Sequence, residues 1–221
     1  MQLSRHMPVQ VIPEYLCFFG LRKFEFRDTK LVSEIVYVHS KLMLVDDRHA
    51  LIGSANITDR SLIGNRDSEI ACLISDESFV DSIMDENPCS AGNFTGSLRL
   101  RLMMEHLGYM DSPSKKDREL FRDPIRPLFW KELWLPVARK NASIFEQVFN
   151  CTPSDEVRDF AELAHWEQQP KMAEVDPETA RRALQDLQGH LVIFPMGYLR
   201  NERLRPAIIS QEGLMPATLW T

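Results

Sequence analysis

The sequence lacks both a long apolar run and an excess of positive charge. A membrane-spanning helix needs about 20 consecutive, mostly apolar residues, and no segment approaches that length. The formal net charge is −6, whereas proteins that bind nucleic acids generally carry basic surfaces. We therefore expect neither a transmembrane helix nor a nucleic-acid partner.

Cysteine is also scarce. The chain has four cysteines and no C-x-x-C pair, at Cys17, Cys72, Cys89 and Cys151. Zinc sites use closely spaced ligand pairs, and small secreted domains use dense disulfides, so we predict reduced thiols in a cytoplasmic protein. The first 20 residues contain two prolines and lack the apolar segment of about 7–15 residues that a secretory leader requires.

The apolar residues that are present predict an α/β chain. The strand patterns lie at residues 15–21, 33–45, 49–53, 69–75 and 190–195, and the helical patterns lie at residues 97–110, 128–149 and 176–189. Asp176, Pro177 and Gly189 mark the N-cap, first turn and end of the last helix. We assign the sheet and the motif described below to residues 1–96, and a helical region of the same lobe to residues 97–221.

Local details follow from the same patterns. Segment 33–45 is apolar on both faces, which is typical of a strand buried in an α/β sheet, and the polar segment RKFEFRDTK before it predicts a connection. Ser54 or Asn56 is expected to cap a helix that follows strand 49–53. Pro136 predicts a break in helix 128–149.

The most informative stretch is YVHSKLMLVDDRHALIGSAN, residues 37–56. Side chains two apart in a strand lie on one face, about 6.5–7 Å from each other, so His39 and Lys41 are expected to project together. An imidazole can attack phosphorus or donate a proton near neutral pH, and an ammonium suits phosphate oxygens. Ser54 and Asn56 add neutral donors. This combination suits phosphodiester chemistry, in which charge develops on the non-bridging oxygens.

A lone strand histidine is more often a hydrogen-bonded core residue, but the surrounding pattern argues against that interpretation here. H-x-K-x4-D-x6-G-S-x-N fixes six positions and is expected by chance roughly once in 10⁸ starting points. The residues that match are His39, Lys41, Asp46, Gly53, Ser54 and Asn56. The pattern resembles the HKD motif of the phospholipase D superfamily.

The resemblance extends along the chain. The segments YLCFFGLR, GSANITDRSLIGNRDSEIA, LGYMDSPS, NASIFEQVF and the terminal WT resemble the animal phosphatidylcholine-specific phospholipases D. The resemblance implies one lobe of a bilobal α/β fold, with a mixed sheet flanked by helices and a helical C-terminal region. It implies hydrolysis of phosphatidylcholine to phosphatidic acid and choline through a phosphohistidine.

Family members carry two HKD motifs, and this sequence contains only the second. The resemblance therefore places the nucleophile in an N-terminal HKD lobe outside this chain and makes His39 the general acid. It assigns the orientation of His39 to Glu69 and phosphate binding to Lys41, Ser54 and Asn56. Because Asp46 lies an odd number of residues from His39, we expect a structural hydrogen-bonding role for it, with Gly53 as a structural motif position.

The resemblance implies no cofactor and no catalytic metal, and adjacent turn residues such as Asp46, Asp47 and His49 rarely converge on one ion. The implied partners are a phosphatidylcholine membrane surface and the N-terminal HKD lobe. Phosphoinositide and small-GTPase regulation would act through regions outside this chain, and the protein would be cytoplasmic and peripherally membrane-associated. We expect the aromatic residues of helix 128–149 to pack in the core.

Two other functions stay open. A single-HKD phosphodiesterase or nuclease could complete its site by forming a homodimer. Alternatively, a truncated lobe could fold, lack activity and act as an interaction partner. The resemblance in the C-terminal half favours the phospholipase D lobe over a small nuclease, as does the acidic net charge.

Overall fold

A computed structural model describes residues 15–111 and 113–203 of the chain, so predictions that fall on residues 1–14, 112 and 204–221 lie outside the description. The α/β class is confirmed. The strands of the described residues are β1 (Phe19–Arg27), β2 (Lys30–Ile35), β3 (Lys41–Val45), β4 (His49–Gly53), β5 (Ala71–Ser75), β6 (Phe79–Met84), β7 (Asn87–Gly92) and β8 (Leu191–Ile193).

Most helices follow the first seven strands. The helices of the described residues are α1 (Asp59–Leu62), α2 (Thr95–His106), α3 (Lys115–Leu120), α4 (Pro127–Phe129), a π-helical turn (Trp130–Trp134), α5 (Leu135–Phe149), α6 (Phe160–Gln168), α7 (Met172–Val175) and α8 (Pro177–Leu184). No helix of this part of the chain is long and apolar enough to cross a membrane.

The described strands pair antiparallel in three sheets, with orders β2-β1-β8, β3-β4-β5 and β6-β7. Three hairpins turn on residue pairs with positive φ, at Asp28–Thr29, Asp46–Asp47 and Asp85–Glu86. Positive φ at both central residues matches the right-handed twist of the flanking strands. The segment RKFEFRDTK therefore forms most of β1 and the turn into β2, and its prediction as a polar connection was wrong.

The continuous strand predicted over residues 33–45 is also wrong, because β2 and β3 belong to different sheets. The N–H of Val36 donates to the carbonyl of Leu21 at 2.8 Å, and residues 36–40 then carry the chain to the β3–β4–β5 sheet. Nor is β3 buried on both faces, since Met43 is 50% exposed. An apolar run alone does not distinguish one buried strand from a crossing between two sheets.

The long helical patterns are confirmed. Asp176 caps α8 by accepting a hydrogen bond from the N–H of Thr179 at 3.1 Å, as predicted, but α8 ends at Leu184, so the predicted end at Gly189 was wrong. The predicted helix break at Pro136 was wrong, because α5 includes this residue. A π-helical turn precedes α5, so Pro136 lies in the first turn of α5. The backbone N–H groups of a first turn have no intrahelical acceptor, so a proline, which lacks an N–H, is tolerated there.

The helices supply two hydrophobic clusters. One joins α5, α7 and α8, and the other joins α2, α4 and the start of α5 to β8. The aromatic residues expected in the core are buried there, except that Trp130 is half-buried; they are Phe129, Trp134, Phe145 and Phe149. The fully buried amide of Asn141 on α5 donates to the carbonyls of Gln188 and Leu191, each at 2.8 Å. These bonds hold β8 against α5 and hence position β1, which pairs with β8.

The β3–β4–β5 sheet is attached to α2 at one of its ends. Both nitrogens on one side of the Arg99 guanidinium donate to the buried carboxylate of Asp47, at 2.8 and 2.6 Å, and Nη1 donates to the carbonyl of Phe121 at 2.6 Å. At the same end, the Asp76 carboxylate accepts from the N–H groups of Phe94 and Thr95, both at 2.9 Å. Thr95 and the N–H of Phe94 hold the pKa of Asp76 below its usual range.

The buried carboxylate at this turn is thus Asp47 and not the motif residue Asp46. Asp46 is exposed and contributes its backbone to the turn, with φ of 52°. Alternation along an ideal strand cannot identify the buried acid, because both residues lie beyond the end of β3, in the turn.

We predict that Asp47→Asn lowers the free energy of unfolding by about 3–5 kcal/mol, because it leaves the buried guanidinium of Arg99 without a counter-charge. Urea denaturation of the chain, followed by circular dichroism, measures the change. Asp46→Asn is the matched control, since the substitution is the same but the position is exposed, and it should stay within about 0.5 kcal/mol of the wild type. Equal effects of the two variants would contradict a structural role for the Asp47–Arg99 pair.

Candidate active site

Residues of the H-x-K and G-S patterns meet at an open depression of about 690 Å³ at the other end of the β3–β4–β5 sheet. Lys41, Gly53 and Ala71 stand in register across the three strands there. The depression is lined by His39, Ser40, Lys41, Ile52, Gly53, Ser54, Ile70, Ala71 and Cys72. The structure thus brings together four of the six motif residues.

His39 lies two residues before β3, not within it. Its imidazole is exposed and lies 6.0 Å from the ring of Tyr37, centroid to centroid. The Lys41 Nζ donates to the backbone carbonyl of His39 at 2.7 Å. The two side chains therefore share the depression, although not through the alternation of one continuous strand.

Gly53 is required by the close approach of the chain after Glu69. A Cβ atom at Gly53 would lie 2.6 Å from the carbonyl oxygen of Ile70 and 2.7 Å from the Cβ of Ala71. Next to it, the N–H of Ser54 donates to the carbonyl of Ile70 at 2.9 Å, and the N–H of Ile70 donates to Ser54 Oγ at 3.0 Å. The Gly-Ser pair closes the end of β4 against the entry to β5.

Glu69 is hydrogen-bonded to serines. The Ser54 hydroxyl donates to Glu69 Oε2 at 2.5 Å. Hydrogen bonds from Ser54 and then from Ser61 lower the pKa of Glu69, so its carboxylate is ionised at neutral pH. Glu69 precedes β5, which begins at Ala71 and not at the predicted residue 69. Ser61 was missed by the sequence analysis, since no spacing rule relates it to the motif.

Asn56 does not line the depression. It is exposed in the loop between β4 and α1, and the N-cap of α1 is Thr58, so the prediction that Ser54 or Asn56 caps this helix was wrong. Two exposed hydrogen bonds from Arg60 to Asp67, each 3.0 Å, hold α1 to the loop that follows it.

The acids and histidine of the β3–β4 turn do not converge. Asp47 pairs with Arg99, whereas the Nδ1 of His49 lies 3.0 Å from Ser75 Oγ across the sheet. Their side chains serve two separate structural contacts at the far end of the sheet from His39.

The depression offers an exposed imidazole, an ammonium within reach of its backbone, and a serine held by a carboxylate. An imidazole can donate or accept a proton, and an ammonium can offset negative charge on a phosphoryl group. This is the chemistry that proton-assisted displacement at phosphorus requires.

The sequence of this chain is similar to that of known enzymes. A family described as "Phospholipase D" matches residues 22–122. The chain is 42% identical to "Phospholipase D1" of Homo sapiens over 207 residues, which is 94% of the chain and 19% of the relative. It is 42% identical to "Phospholipase D2" of Bos taurus, with 94% and 22% coverage, and 38% identical to "Phospholipase D zeta 1" of Arabidopsis thaliana, with 90% and 20% coverage.

The chain spans about a fifth of the length of these relatives, and nearly the whole of the chain aligns with them. The match includes both the sheet that carries Lys41 and the helical region after α2. The chain belongs to the phospholipase D family.

Proposed function

We propose that this chain is the C-terminal catalytic lobe of a phospholipase D that hydrolyses phosphatidylcholine to phosphatidic acid and choline. The observation that carries the proposal is the meeting of His39, Lys41, Gly53 and Ser54 at one depression, in a chain 42% identical to animal phospholipases D. The enzyme works at a phosphatidylcholine membrane surface as a peripheral, cytoplasmic protein, and it requires no cofactor.

Lys41 is the phosphate ligand in this proposal. Its ammonium donates to the carbonyl of His39, which is an exposed neutral acceptor. The negatively charged non-bridging oxygens of a phosphodiester can replace this carbonyl as the acceptor. As charge builds on the non-bridging oxygens, a fixed ammonium stabilises the transition state more than the ground state. In this proposal Ser54, which lines the depression, and Asn56, which lies in the loop just beyond it, reorient to donate to the phosphate when the substrate binds.

His39 is the proton carrier. In the first displacement an imidazole of a second lobe forms the P–N bond while the P–O bond to choline breaks, and His39 donates its proton to the choline oxygen. In the second, His39 takes a proton from water as the water oxygen attacks phosphorus and the P–N bond breaks. In-line displacement places nucleophile and acid on opposite sides of phosphorus, so one imidazole cannot serve as both.

The described part of the chain offers no second imidazole at the depression, which His39 alone among its histidines lines. His49 interacts with Ser75 at the other end of the sheet. Burial lowers the pKa of His106, which packs near Trp134. The nucleophile is therefore proposed to come from an N-terminal HKD lobe.

The exposed face of the sheet supports such a partner. Met43, Leu51 and Leu73 stand in register across β3, β4 and β5, on the face that carries Lys41, and Leu73 is 67% exposed. A contiguous exposed apolar patch marks an interaction surface. We propose that the N-terminal HKD lobe covers this face; regulation by phosphoinositides or small GTPases would act through further regions of the complete enzyme.

Lys41→Met should lower choline release about 10²–10³-fold when the chain is joined to the N-terminal HKD lobe of a relative, the range found when one transition-state donor is removed. Choline release from phosphatidylcholine vesicles is the measurement. Lys23→Met is the matched control, since Lys23 is an exposed residue of β1, and it should leave the rate unchanged. Retention of more than a tenth of the wild-type rate would remove Lys41 from the phosphate site.

His39→Asn should abolish turnover, whereas Glu69→Gln should lower it less, since the amide keeps an acceptor for Ser54 while weakening support for the imidazole. Loss of a general acid typically costs about 10²–10⁴-fold. Because the folded pKa of Glu69 is lowered, its stabilising contribution is fully present above the ordinary pKa of a glutamate and is lost as pH falls through the lower folded pKa.

The measurements are choline release at pH 7 and urea midpoints of both proteins from pH 7 to pH 3. The wild type should lose its stability advantage over Glu69→Gln in the acid range. Full activity of Glu69→Gln would leave Glu69 with a purely structural role.

The chain by itself should not release choline, and co-expression with an N-terminal HKD lobe should restore activity by pairing two imidazoles. Choline release is assayed with the purified chain alone and complemented, with its mass in solution determined alongside. A defined homodimer that turns over robustly and loses activity in His39→Asn would instead establish the single-HKD phosphodiesterase.

A further inference from the structure

A second cavity of the described residues is separate from the depression. It is a groove of about 840 Å³ between the β1–β8 pair and α5, with residues 35–38 along one edge. Its walls are mainly apolar and aromatic, with Phe19, Val36, Trp134, Phe145 and Ile193 among them. Pockets that bind small ligands measure about 300–1,000 Å³ and are predominantly hydrophobic, so this groove has the size and the lining of a ligand site.

The segment that edges this groove continues directly into the candidate active site. Residues 35–38 line the groove, and residues 39–41 line the depression. Tyr37 belongs to the wall of the groove, and its ring centroid lies 6.0 Å from that of His39. One aromatic residue thus lines the groove and also lies beside the proposed proton carrier.

Arg22 in the groove wall is hydrogen-bonded to other protein groups, and burial favours the neutral forms of Glu146 and His106. Arg22 donates to the carbonyl of Thr152 at 3.1 Å and to Ser33 Oγ at 3.4 Å, and its guanidinium lies 5.9 Å from the centroid of Phe145. Burial raises the pKa of Glu146 and lowers the pKa of His106. The other charged lining residues are exposed at the solvent side; they are Arg139, Asp155 and Glu156.

We propose that this groove binds one acyl chain of the phospholipid whose phosphate lies at His39 and Lys41. The assignment of that phospholipid as substrate rests on the function proposed above. Three observations favour an acyl chain as the occupant: the apolar walls, the volume, and the continuity with the phosphate site through Tyr37. The groove would hold the lipid after it leaves the bilayer and fix its phosphate relative to the imidazole.

The burial of methylene groups predicts how the binding affinity depends on the length of the acyl chain. Transfer of each CH₂ from water to an apolar site should tighten binding roughly fourfold until the groove is filled. The probe is monomeric lysophosphatidylcholine with chains of 8 to about 14 carbons, kept below its micellar concentration, and titrated into the chain by calorimetry. Affinity should rise with chain length and then level off.

Ala142→Phe is the obstructing variant, because Ala142 lies on α5 and lines the groove. It should weaken binding of the longest probe at least tenfold and flatten the dependence on chain length. Gln147→Phe is the matched control, since Gln147 is exposed on the same helix and does not line the groove. Ser143→Phe, at an exposed lining position, obstructs the groove if Ala142→Phe does not fold.

Activity of the complemented protein tests whether the bound chain belongs to the substrate. Ala142→Phe should hydrolyse water-soluble dibutyroyl phosphatidylcholine like the wild type and lose at least tenfold on dipalmitoyl phosphatidylcholine in mixed micelles. Unchanged probe binding in a folded obstructing variant would overturn the proposal. Weakened probe binding with unchanged long-chain hydrolysis would overturn the assignment to the substrate. If the wild type hydrolyses neither lipid, the proposed function fails, and the dependence of probe binding on chain length still decides whether the groove takes an acyl chain.

Discussion

The ion pair between Asp47 and Arg99 joins the sheet that carries Lys41 and Gly53 to the helical part of the chain. In the described residues the three strands of this sheet contact mainly one another, and much of the surface of the sheet is exposed. Packing of other elements on its faces therefore does not fix its position. The turn before β4 is instead held by a buried bidentate pair, with Arg99 also bound to the Phe121 carbonyl. Such a pair contributes little net stability relative to an apolar contact, but it specifies one geometry, because every alternative leaves a buried charge unpaired.

The attachment and the candidate site occupy opposite ends of the same short strands. Residues 45 and 49 adjoin the turn that Arg99 holds, whereas Lys41 and Gly53 lie at the other end, roughly 13 Å away for a five-residue strand. One end is therefore fixed to α2, while the other end presents His39, Lys41 and Ser54 without a covering element in the described residues. A site of this kind can be completed by another lobe without disturbing the anchor, and a phosphodiester displacement that needs two imidazoles requires such a completion.

The sequence predicted four of the residues that meet at the candidate site, but it did not predict their contacts, and Asp46 and Asn56 of the same motif lie outside the depression. Residue identities at fixed spacing were enough to select His39, Lys41, Gly53 and Ser54, since the chemistry restricts which side chains can stand there. The buried acid of the turn could not be chosen between Asp46 and Asp47, because its partner Arg99 lies 52 residues away. In the same way, the serines that bond to Glu69 come from two different segments, Ser54 and Ser61, and only tertiary structure brings them together. The cap Asp176 was predictable because its partner, the N–H of Thr179, is local.

The segment at residues 36–40 explains why hydrophobic periodicity failed where it mattered most. An apolar run on both faces is expected of a buried strand, yet Tyr37 is 82% exposed and the segment crosses between two sheets. Val36, Tyr37 and Val38 contribute to the wall of the groove, and the next residues, 39–41, line the depression. Their apolar character is thus accounted for by a groove wall that leads to His39, not by burial within a sheet. The segment that does not form the predicted strand thus links an apolar groove to a polar depression along the chain, which is the arrangement that the proposed phospholipid substrate would use.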